Sequence, residues 1–550
     1  MNALKKPLEN KLKHYLNHSL IRVLIGALYP LGFSPIDIWP ASVLSLALLV
    51  YLIIDVYQSN HYLPNSEEKT AVRKSIVSTC FFWGIGAYGV GASWVYVSIH
   101  EFGNAILPLA VLITAIFILV LTLVKVGFAY LIHHLVSLCG KSFLILIIPF
   151  AWLASEFVLS TLFNGFPWLL AGYSQMDGPL SSLATWFGVY GVGWFMLAII
   201  SVSILLINHL FTLHRINQSV EPTQQSFLKS ARNKLVIMFL LISSFPLLSY
   251  LIKPLKIVSH EKPNLEVALV QPNISQEKKW KREFFSEIID TLYQQTESNW
   301  DADLIVWPEG AIPAYKHQVN DIFSDLERQL KPFQSDLLAG LPIYDKKNKV
   351  SYVGFSAIGS SPQTYHKQVL VPFGEYVPLG KVLRGVIDFF DLPMSNFIQG
   401  SSDQPAMSFE HYDVIPAICY EIAYPNILQS MLKQADKKSN KAKLIVTVSN
   451  DAWFGDSLGP YQHMQMARMR ALELGLPLIR STNDGITAVV DAKGKQLAQI
   501  ARHTQDTLRF SISLDGYDTF YRRHGYLGIY CIISISLFFF VSSYFSRKRQ

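Results

Sequence analysis

One cysteine, one glutamate and one lysine stand at or near the ends of apolar runs in the second half of the chain. Cys419 ends VIPAIC, Glu309 ends LIVWPE, and Lys367 lies in YHKQVLVPFGEYVP. A thiol must lose its proton to attack a carbonyl, and a nearby carboxylate can accept that proton. A tetrahedral intermediate needs positive charge or N–H donors at its oxygen, and an ammonium group supplies that charge. The three residue types therefore make a complete set for acyl transfer.

Each of these residues also has an ordinary structural interpretation. Cys419 would then be a small buried hydrophobic residue, Glu309 a loop carboxylate and Lys367 a solvated surface charge. Residue types alone leave both interpretations open. The chain has four cysteines, and the other three fall within or beside apolar spans: Cys80, Cys139 and Cys531. An intrachain disulfide at Cys419 is therefore excluded.

From residue 264 onward, short apolar runs alternate with amphipathic segments. The expected strands are 267–271, 304–309, 337–342, 414–421, 444–450 and 486–491. The expected helices are 281–299, 318–331, 424–436 and 461–474. Continuously apolar strands are typically buried on both faces, and their alternation with helices predicts an α/β domain. Such domains hold their sites at strand ends, where Glu309 and Cys419 lie.

The remainder of the chain has a different composition. Over all 550 residues, 51% are hydrophobic and 16% are charged, whereas a soluble domain has about a quarter charged residues. About eight spans of about 20 residues can be drawn, at 20–36, 41–56, 75–98, 106–132, 142–162, 182–210, 235–252 and 525–545. This predicts a polytopic helical membrane domain over 1–254, an exported catalytic domain over 255–520, and an eighth span with a cytoplasmic tail over 521–550.

The charges of the loops predict the orientation of these spans. Lys and Arg are concentrated in the N-terminal arm, in the loops after the second and sixth spans, and in the C-terminal tail. The loops after the first, third and fifth spans contain neither residue. The positive-inside rule then places both termini in the cytoplasm and the α/β domain on the far side. The net charge of +7 is accounted for by these loops and does not indicate nucleic acid.

Local sequence around the three residues is similar to that of the carbon–nitrogen hydrolase (nitrilase) superfamily. The resemblance is carried by WPE, HKQVLVPFGEYVP and CYE, in the order Glu, Lys, Cys. Within the superfamily the chain most resembles the apolipoprotein N-acyltransferase family. The further matching stretches are GFPWLLAGYSQ (165–175), VQPNISQEKKW (270–280), VSNDAWFG (448–455) and MARMRALELGLPLIRSTNDGITAVVDAKG (466–494). The implied fold is a membrane domain with a nitrilase-like αββα sandwich inserted between the last two spans.

The resemblance implies a role for each site residue. Glu309 corresponds to the general base, Lys367 to the oxyanion stabiliser and Cys419 to the nucleophile. The residues that correspond to supporting positions are Glu375, Tyr420, through its main-chain N–H, and Glu421. For Glu375 and Glu421, a structural salt bridge is the alternative.

Two tryptophans match positions that the family places near the lipid access route. These are Trp168 and Trp280. For both the alternative is an interfacial anchor, and for Trp280 packing within the domain is a further alternative. Trp280 stands among four cations that are expected to meet anionic headgroups: Lys278, Lys279, Lys281 and Arg282.

The activity implied by the resemblance is N-acylation of lipoproteins at a bacterial inner membrane, with the catalytic domain in the periplasm. A glycerophospholipid, phosphatidylethanolamine, would donate its acyl chain through a Cys419 thioester. The α-amine of a diacylglyceryl apolipoprotein would accept it. No metal or cofactor is expected, because the chain has no HExxH, CxxC or Walker-type motif. The Pro- and Gly-rich stretch 371–400 is a candidate lid.

Two other functions remain possible from the sequence. A membrane-tethered nitrilase-type amidase would share Glu309, Lys367 and Cys419, and would not need the GFPW loop. A transporter with a binding domain would carry paired charges inside its spans. The clearest interior ionisable residues are Lys125 and Glu156, with Asp55 near a span end, and so few charges argue against a transport pathway.

Overall fold

The computed structural model describes residues 18–59, 66–103, 105–162, 165–216, 222–252, 254–257, 262–372, 374–376 and 397–549. Its apolar part consists of long helices, which are α1 (Ser19–Ala27), α2 (Trp39–Ser59), α3 (Ser66–Gly91), α4 (Leu107–Cys139), α5 (Leu144–Thr161), α6 (Ala184–Ile216) and α7 (Pro222–Leu251). The last helix of the chain is α13 (Leu527–Arg549). Large apolar side chains on these helices are exposed, among them Leu112, Leu240 and Phe538, as a lipid environment requires.

The polytopic membrane domain is confirmed, with fewer spans than the sequence predicted. Among the described residues, six helices are long and apolar enough to cross a membrane. A seventh span arises if α3 and its continuation Val95–Phe102, bent by 59°, count as one. The first predicted span is a shorter apolar helix, Ser19–Gly32. Its last turn is the 3₁₀ turn Tyr29–Gly32, where Pro30 supplies no backbone N–H to continue the α-helix.

The second part of the chain holds two six-stranded sheets. The strands of the first sheet follow the order β13 (Asp506–Ser513), β2 (Asn264–Gln271), β3 (Leu304–Val306), β4 (Asp336–Asp345), β5 (Val350–Ile358) and β6 (Thr364–His366). Those of the second follow the order β12 (Gln496–Gln499), β11 (Ala488–Val490), β10 (Leu478–Thr482), β9 (Ala442–Ser449), β8 (Tyr412–Ile418) and β7 (Met407–Ser408). A separate ribbon pairs β1 (Leu255–Ile257) with β14 (Gly516–Asp518).

The three central strands of each sheet explain where the site lies. Strands β2, β3 and β4 run parallel, as do β8, β9 and β10. The carboxyl ends of parallel strands meet at one edge of a sheet. Every predicted strand overlaps an observed one, although β8 stops at Ile418 and the following residues Cys419–Ala423 form a 3₁₀ turn.

Helices cover the outer faces of the paired sheets. Helices α8 (Phe285–Thr296) and α9 (Asn320–Leu330) pack on the first sheet, and α10 (Pro425–Lys438) and α11 (Gly459–Leu474) pack on the second. The largest buried cluster of this part fills the space between the sheets, with side chains such as Val267, Leu304, Val414 and Leu444. The αββα sandwich is therefore confirmed. A short helix, α12 (Phe520–His524), leads into α13.

The sandwich is fastened to the membrane helices through buried polar contacts. Helix α6 is kinked at Gly188, where φ is 65° and ψ is −178°. The kink frees the N–H of Val189, which donates to Glu473 Oε1 on α11 at 2.6 Å. Arg470 on the same helix forms a fully buried ion pair with Glu473 at 3.0 Å. The catalytic part therefore completes the hydrogen bonding of a broken membrane helix.

Candidate active site

A lysine and two carboxylates form the centre of the site. Lys367 follows β6 and is fully buried, with its Nζ 3.0 Å from Glu309 Oε1 and 2.6 Å from Glu375 Oε1. Burial alone lowers the pKa of the Lys367 ammonium, but the two carboxylates outweigh that effect and hold the pKa well above its usual range. The two carboxylates therefore favour the charged form of Lys367.

Both carboxylate oxygens of Glu309 have partners. Glu309 lies three residues beyond β3, and its Oε2 accepts the main-chain N–H of Asn450, which follows β9, at 3.0 Å. Its main-chain oxygen accepts Lys279 Nζ at 3.1 Å. The carboxylate thus bridges residues that follow strands of the two sheets, and its orientation is set by both.

Cys419 occupies a strained turn at the end of β8. Its φ of +51° lies in the left-handed region, which is uncommon for residues other than glycine. His463 Nε2 lies 3.0 Å from the Cys419 main-chain oxygen. Burial raises the pKa of the Cys419 thiol, the nearby Glu309 raises it further, and Lys367 opposes both. The Cys419 thiol therefore favours its neutral form, and the Glu309 carboxylate lies close enough to influence it.

Glu421 joins the nucleophile turn to the lysine segment. Its Oε2 accepts the N–H of Ile418 at 2.7 Å, and its Oε1 accepts the Tyr365 hydroxyl at 2.9 Å and the N–H of Gln368. Burial raises the pKa of Glu421 to about 7, while these donors lower it. Glu375 similarly pairs its Oε1 with Lys367 and accepts the N–H of Val371 on its Oε2 at 2.8 Å. Both glutamates therefore fix loop backbone through N–H groups, and Glu375 also pairs with the Lys367 charge.

The GFPW loop between α5 and α6 lies directly against the nucleophile turn. The Tyr420 hydroxyl donates to the Gly165 carbonyl at 2.7 Å, and the rings of Tyr420 and Trp168 stack at 6.0 Å. Trp168 is 1% exposed and also packs on Phe166 and His463. An interfacial anchor would be open to lipid and water, so that alternative for Trp168 is wrong.

A glutamate within α5 holds the GFPW loop in place. Glu156 Oε1 accepts the N–H of Ala171 at 2.7 Å and the indole N–H of Trp152 at 2.9 Å. The other interior charge, Lys125, donates to Ser155 at 2.9 Å and lies 3.7 Å from the centre of a Trp152 ring. A transporter would require such interior charges in its pathway. Here their contacts indicate that they position the GFPW loop beneath the site.

The lysine-rich segment before Trp280 is only partly at the surface. Lys278 forms an exposed ion pair with Glu287 at 2.8 Å. Lys279 is instead 2% exposed and points at Glu309, so the expectation that it meets lipid headgroups is wrong. Burial lowers the pKa of Lys279 to about 8, although Glu309 opposes this shift. Trp280 is half-buried and lines the same cavity as Glu309.

One cavity of about 600 Å³ connects the candidate site residues to the membrane helices. Its polar end is lined by Glu309, Glu375 and Cys419. Its apolar end is lined by one face of α4, through Ile113, Ile116, Phe117, Val120, Leu121 and Val124. Residues spaced three or four apart lie on one side of a helix, so α4 presents a continuous apolar stripe to the cavity.

The structure brings together every predicted site residue, namely Glu309, Lys367, Cys419, Glu375, Tyr420, Glu421, Trp168 and Trp280. Sequence reasoning missed Lys279, Asn450 and His463. A lone histidine on a helix and a lysine beside other lysines carry no signal of their own. Most of the predicted lid, residue 373 and residues 377–396, lies outside the described residues. Among the residues that the structure describes, no group of three or more His, Cys, Asp or Glu converges to hold a metal.

Known families match both parts of the chain. Residues 266–522 match the carbon-nitrogen hydrolase model, and residues 25–202 match the apolipoprotein N-acyltransferase N-terminal domain. The apolipoprotein N-acyltransferase of Haemophilus influenzae is 35% identical over 541 residues, which are 96% of each chain. That of Pseudomonas aeruginosa LESB58 is 36% identical over 89% of each chain. That of Azotobacter vinelandii is 38% identical over 87% of this chain and 86% of the relative.

The fold and its cysteine-centred site define a carbon–nitrogen hydrolase domain built onto a membrane domain, whose described residues form six to seven helices long and apolar enough to span. Identity above one third over most of both chains makes the assignment more specific. The chain belongs to the apolipoprotein N-acyltransferase family. It is an N-acyltransferase of the carbon–nitrogen hydrolase superfamily.

Proposed function

We propose that this chain transfers a fatty acyl group from a glycerophospholipid to a lipoprotein in two steps through Cys419. The proposal rests on one observation above all. The Glu309–Lys367 pair, at 3.0 Å, and the Cys419 turn line the polar end of a cavity whose other end is the apolar stripe of α4. A reaction between a lipid ester and a thiol needs these two environments side by side.

In the first step Glu309 takes the Cys419 proton as the sulfur attacks the ester carbonyl. The Lys367 ammonium and the main-chain N–H of Tyr420 stabilise the oxyanion. The bond between the carbonyl carbon and the glycerol oxygen then breaks, and Glu309 returns the proton to that oxygen. The products are a thioester on Cys419 and a lysophospholipid.

In the second step the α-amine of a diacylglyceryl cysteine attacks the thioester. Glu309 accepts a proton from the attacking amine, the carbon–sulfur bond breaks, and the thiolate recovers a proton. An amide and the free enzyme result, which makes the mechanism ping-pong. Glu375 and Glu421 support Lys367 and the nucleophile turn and do not touch the reacting atoms.

Phosphatidylethanolamine is the proposed donor, and a diacylglyceryl apolipoprotein is the acceptor. The donor's acyl chain would lie along Ile113, Phe117 and Val124, where apolar walls exclude the water that would hydrolyse a thioester. Trp168 and Trp280 would border the route into the cavity. The acceptor carries two acyl chains of its own, so both substrates reach the site from the bilayer.

The proposed setting is the inner membrane of a bacterium. Residues 1–254 would form the membrane domain, 255–520 the periplasmic catalytic domain, and 521–550 the final span and tail, with both termini cytoplasmic. The loop charges support this orientation. Reporter fusions after residue 222 should read cytoplasmic, and fusions near residue 350 should read periplasmic. The reverse pattern would refute both the orientation and the lipoprotein function.

Intact-mass measurement of the purified full-length protein tests the chemistry. We expect a fatty-acyl adduct on Cys419, its absence in Cys419→Ala, and its discharge onto a diacylglyceryl peptide as an amide. Cys531→Ala is the matched control, since it removes a thiol from the membrane part and should keep the adduct. An adduct that only water discharges, or hydrolysis of small amides, would indicate a membrane-tethered amidase instead.

A further inference from the structure

A second cavity lies at the far end of α4 from the catalytic site. Its volume is about 500 Å³. It is lined by the turn 139–143 between α4 and α5, and by residues of α13, namely Phe539, Ser542, Ser543, Ser546 and Arg547. The acyl-transfer chemistry uses none of these residues.

Side-chain bonds to the backbone give this cavity a defined shape. Ser543 donates to the carbonyl of Cys139 at 2.8 Å, and Arg547 Nη1 lies 3.4 Å from the carbonyls of Ser137 and Leu138. Gly140 has a φ of +94°, and a Cβ on it would lie 3.3 Å from Arg547 Nη1. The tight turn and the guanidinium are therefore packed together, which fixes one wall of the cavity.

The charges in this cavity are all positive. Lys141 and Arg547 are both among its lining residues, and none of the ten lining residues is Asp or Glu. Both cations are exposed at the mouth of the cavity. The cavity thus combines two cations with serine hydroxyl groups, and its ligand should be an oxyanion.

The position of the cavity points to a lipid as the source of that anion. Lys141 and Arg547 stand at the ends of membrane helices, and Phe539, two turns back along α13, is 44% exposed on the face of an apolar helix. Basic pockets between membrane helices on the cytoplasmic side bind anionic headgroups. A zwitterionic headgroup would bring its own ammonium next to two cations with no lining carboxylate to receive it.

We propose that this cavity binds the phosphate of an anionic phospholipid such as phosphatidylglycerol. The phosphate is held between Lys141 and Arg547, and the acyl chains run along α13 past Phe539. The bound lipid joins α13 to the turn between α4 and α5, at the end of the helical domain remote from Cys419. This site is independent of the acyl-transfer proposal.

Native mass spectrometry and thermal unfolding of the full-length protein test the site. In phosphatidylglycerol-containing micelles, the wild type should retain one more lipid than the Lys141→Gln/Arg547→Gln variant. Any lipid bound at the catalytic cavity is present in both proteins and does not affect this difference. The variant should bind phosphatidylglycerol on the order of tenfold more weakly. It should also lose the rise in unfolding temperature that this lipid gives the wild type. Phosphatidylethanolamine should give neither effect.

Matched controls keep the test specific. Lys69→Gln/Lys74→Gln removes two exposed cations at the start of α3. They lie on the side of the membrane predicted to hold the second cavity as well, and their loss should leave lipid retention unchanged. Lys141→Arg/Arg547→Lys keeps the charge and should retain the lipid even if the glutamine pair folds poorly. Equal retention of both lipids by the wild type, or equal loss in the α3 control, would refute the site. Stabilisation by inorganic phosphate alone would refute the lipid assignment.

Discussion

His463 on α11 lies beneath the nucleophile, with its Nε2 3.0 Å from the Cys419 carbonyl oxygen. Burial lowers the pKa of His463 and the Arg480 charge lowers it further, while Asp451 and the Cys419 carbonyl oppose the shift. A carbonyl oxygen accepts only, so Nε2 carries a proton in this contact. Nδ1 lies 3.0 Å from Arg480 Nη2 and 3.2 Å from Asp451 Oδ1. The left-handed Cys419 turn is therefore held by a side chain that touches no reacting atom.

His463→Ala should slow thioester formation by roughly 5- to 100-fold, because an unpaired buried carbonyl costs about 1–3 kcal/mol and the turn is released. The rate of adduct formation and the unfolding temperature are measured together. His463→Gln can still donate to the carbonyl and should recover much of the rate. If both variants lost stability equally while adduct formation per folded molecule stayed normal, His463 would have a packing role only.

Glu309→Gln should reduce adduct formation by a factor of about 10²–10⁴, the range for loss of a general base. The amide oxygen still accepts from Lys367, so the fold should persist, and unfolding temperature checks this. Near-normal adduct formation would exclude Glu309 as the base. Glu327→Gln on the exposed face of α9 is the matched control and should behave as the wild type.

Cys419 should remain a thiol well into the alkaline range, because burial and Glu309 raise its pKa. Below its pKa a thiol gains thiolate tenfold per pH unit, and an ordinary cysteine levels off above about 8.5. The logarithm of the Cys419 alkylation rate should therefore keep rising between pH 8.5 and 10, while a cysteine peptide reaches its plateau. A plateau near pH 8.5 for Cys419 would contradict the raised pKa.

Lys367→Met should stop adduct formation and destabilise the domain. Removal of the ammonium leaves Glu309 and Glu375 facing each other without the cation between them, and breaking a buried pair costs about 3–5 kcal/mol. The double change Lys367→Met/Glu375→Gln removes part of this repulsion and should regain stability without regaining activity. Denaturant unfolding measures the stability, and intact mass measures adduct formation. Adduct formation by the double variant would make Lys367 purely structural.

Trp168→Ala should destabilise the junction between the two parts of the chain by about 3–5 kcal/mol, as expected for a fully buried tryptophan. Tyr420→Phe removes the hydroxyl with its bond to Gly165 and its contact with Tyr424, and should cost about 0.5–1.5 kcal/mol. If Trp168 served only as a lipid-facing residue, its replacement would alter lipid turnover and leave the unfolding temperature unchanged.

The sequence alone predicted a membrane part with a nitrilase-like part and six strands that overlap observed ones, and it singled out Glu309, Lys367 and Cys419 as candidates. These features depend on local information. Runs of apolar residues reveal spans and buried strands, and the motifs around Glu309, Lys367 and Cys419 lie within a few residues of each functional group. Even there, local pattern overestimated the first span, because the chain at Tyr29–Gly32 turns away from an α-helix.

The tertiary structure decided which side chains those residues meet. Lys279 looks like any lysine of a charged segment, yet it is buried behind Glu309. Trp168 has the composition of a membrane-boundary loop, yet Tyr420, from 252 residues later in the chain, covers it. Such contacts join segments far apart in sequence, and burial and pKa depend on all of the atoms around a group. Periodicity and motif report only the near neighbours along the chain.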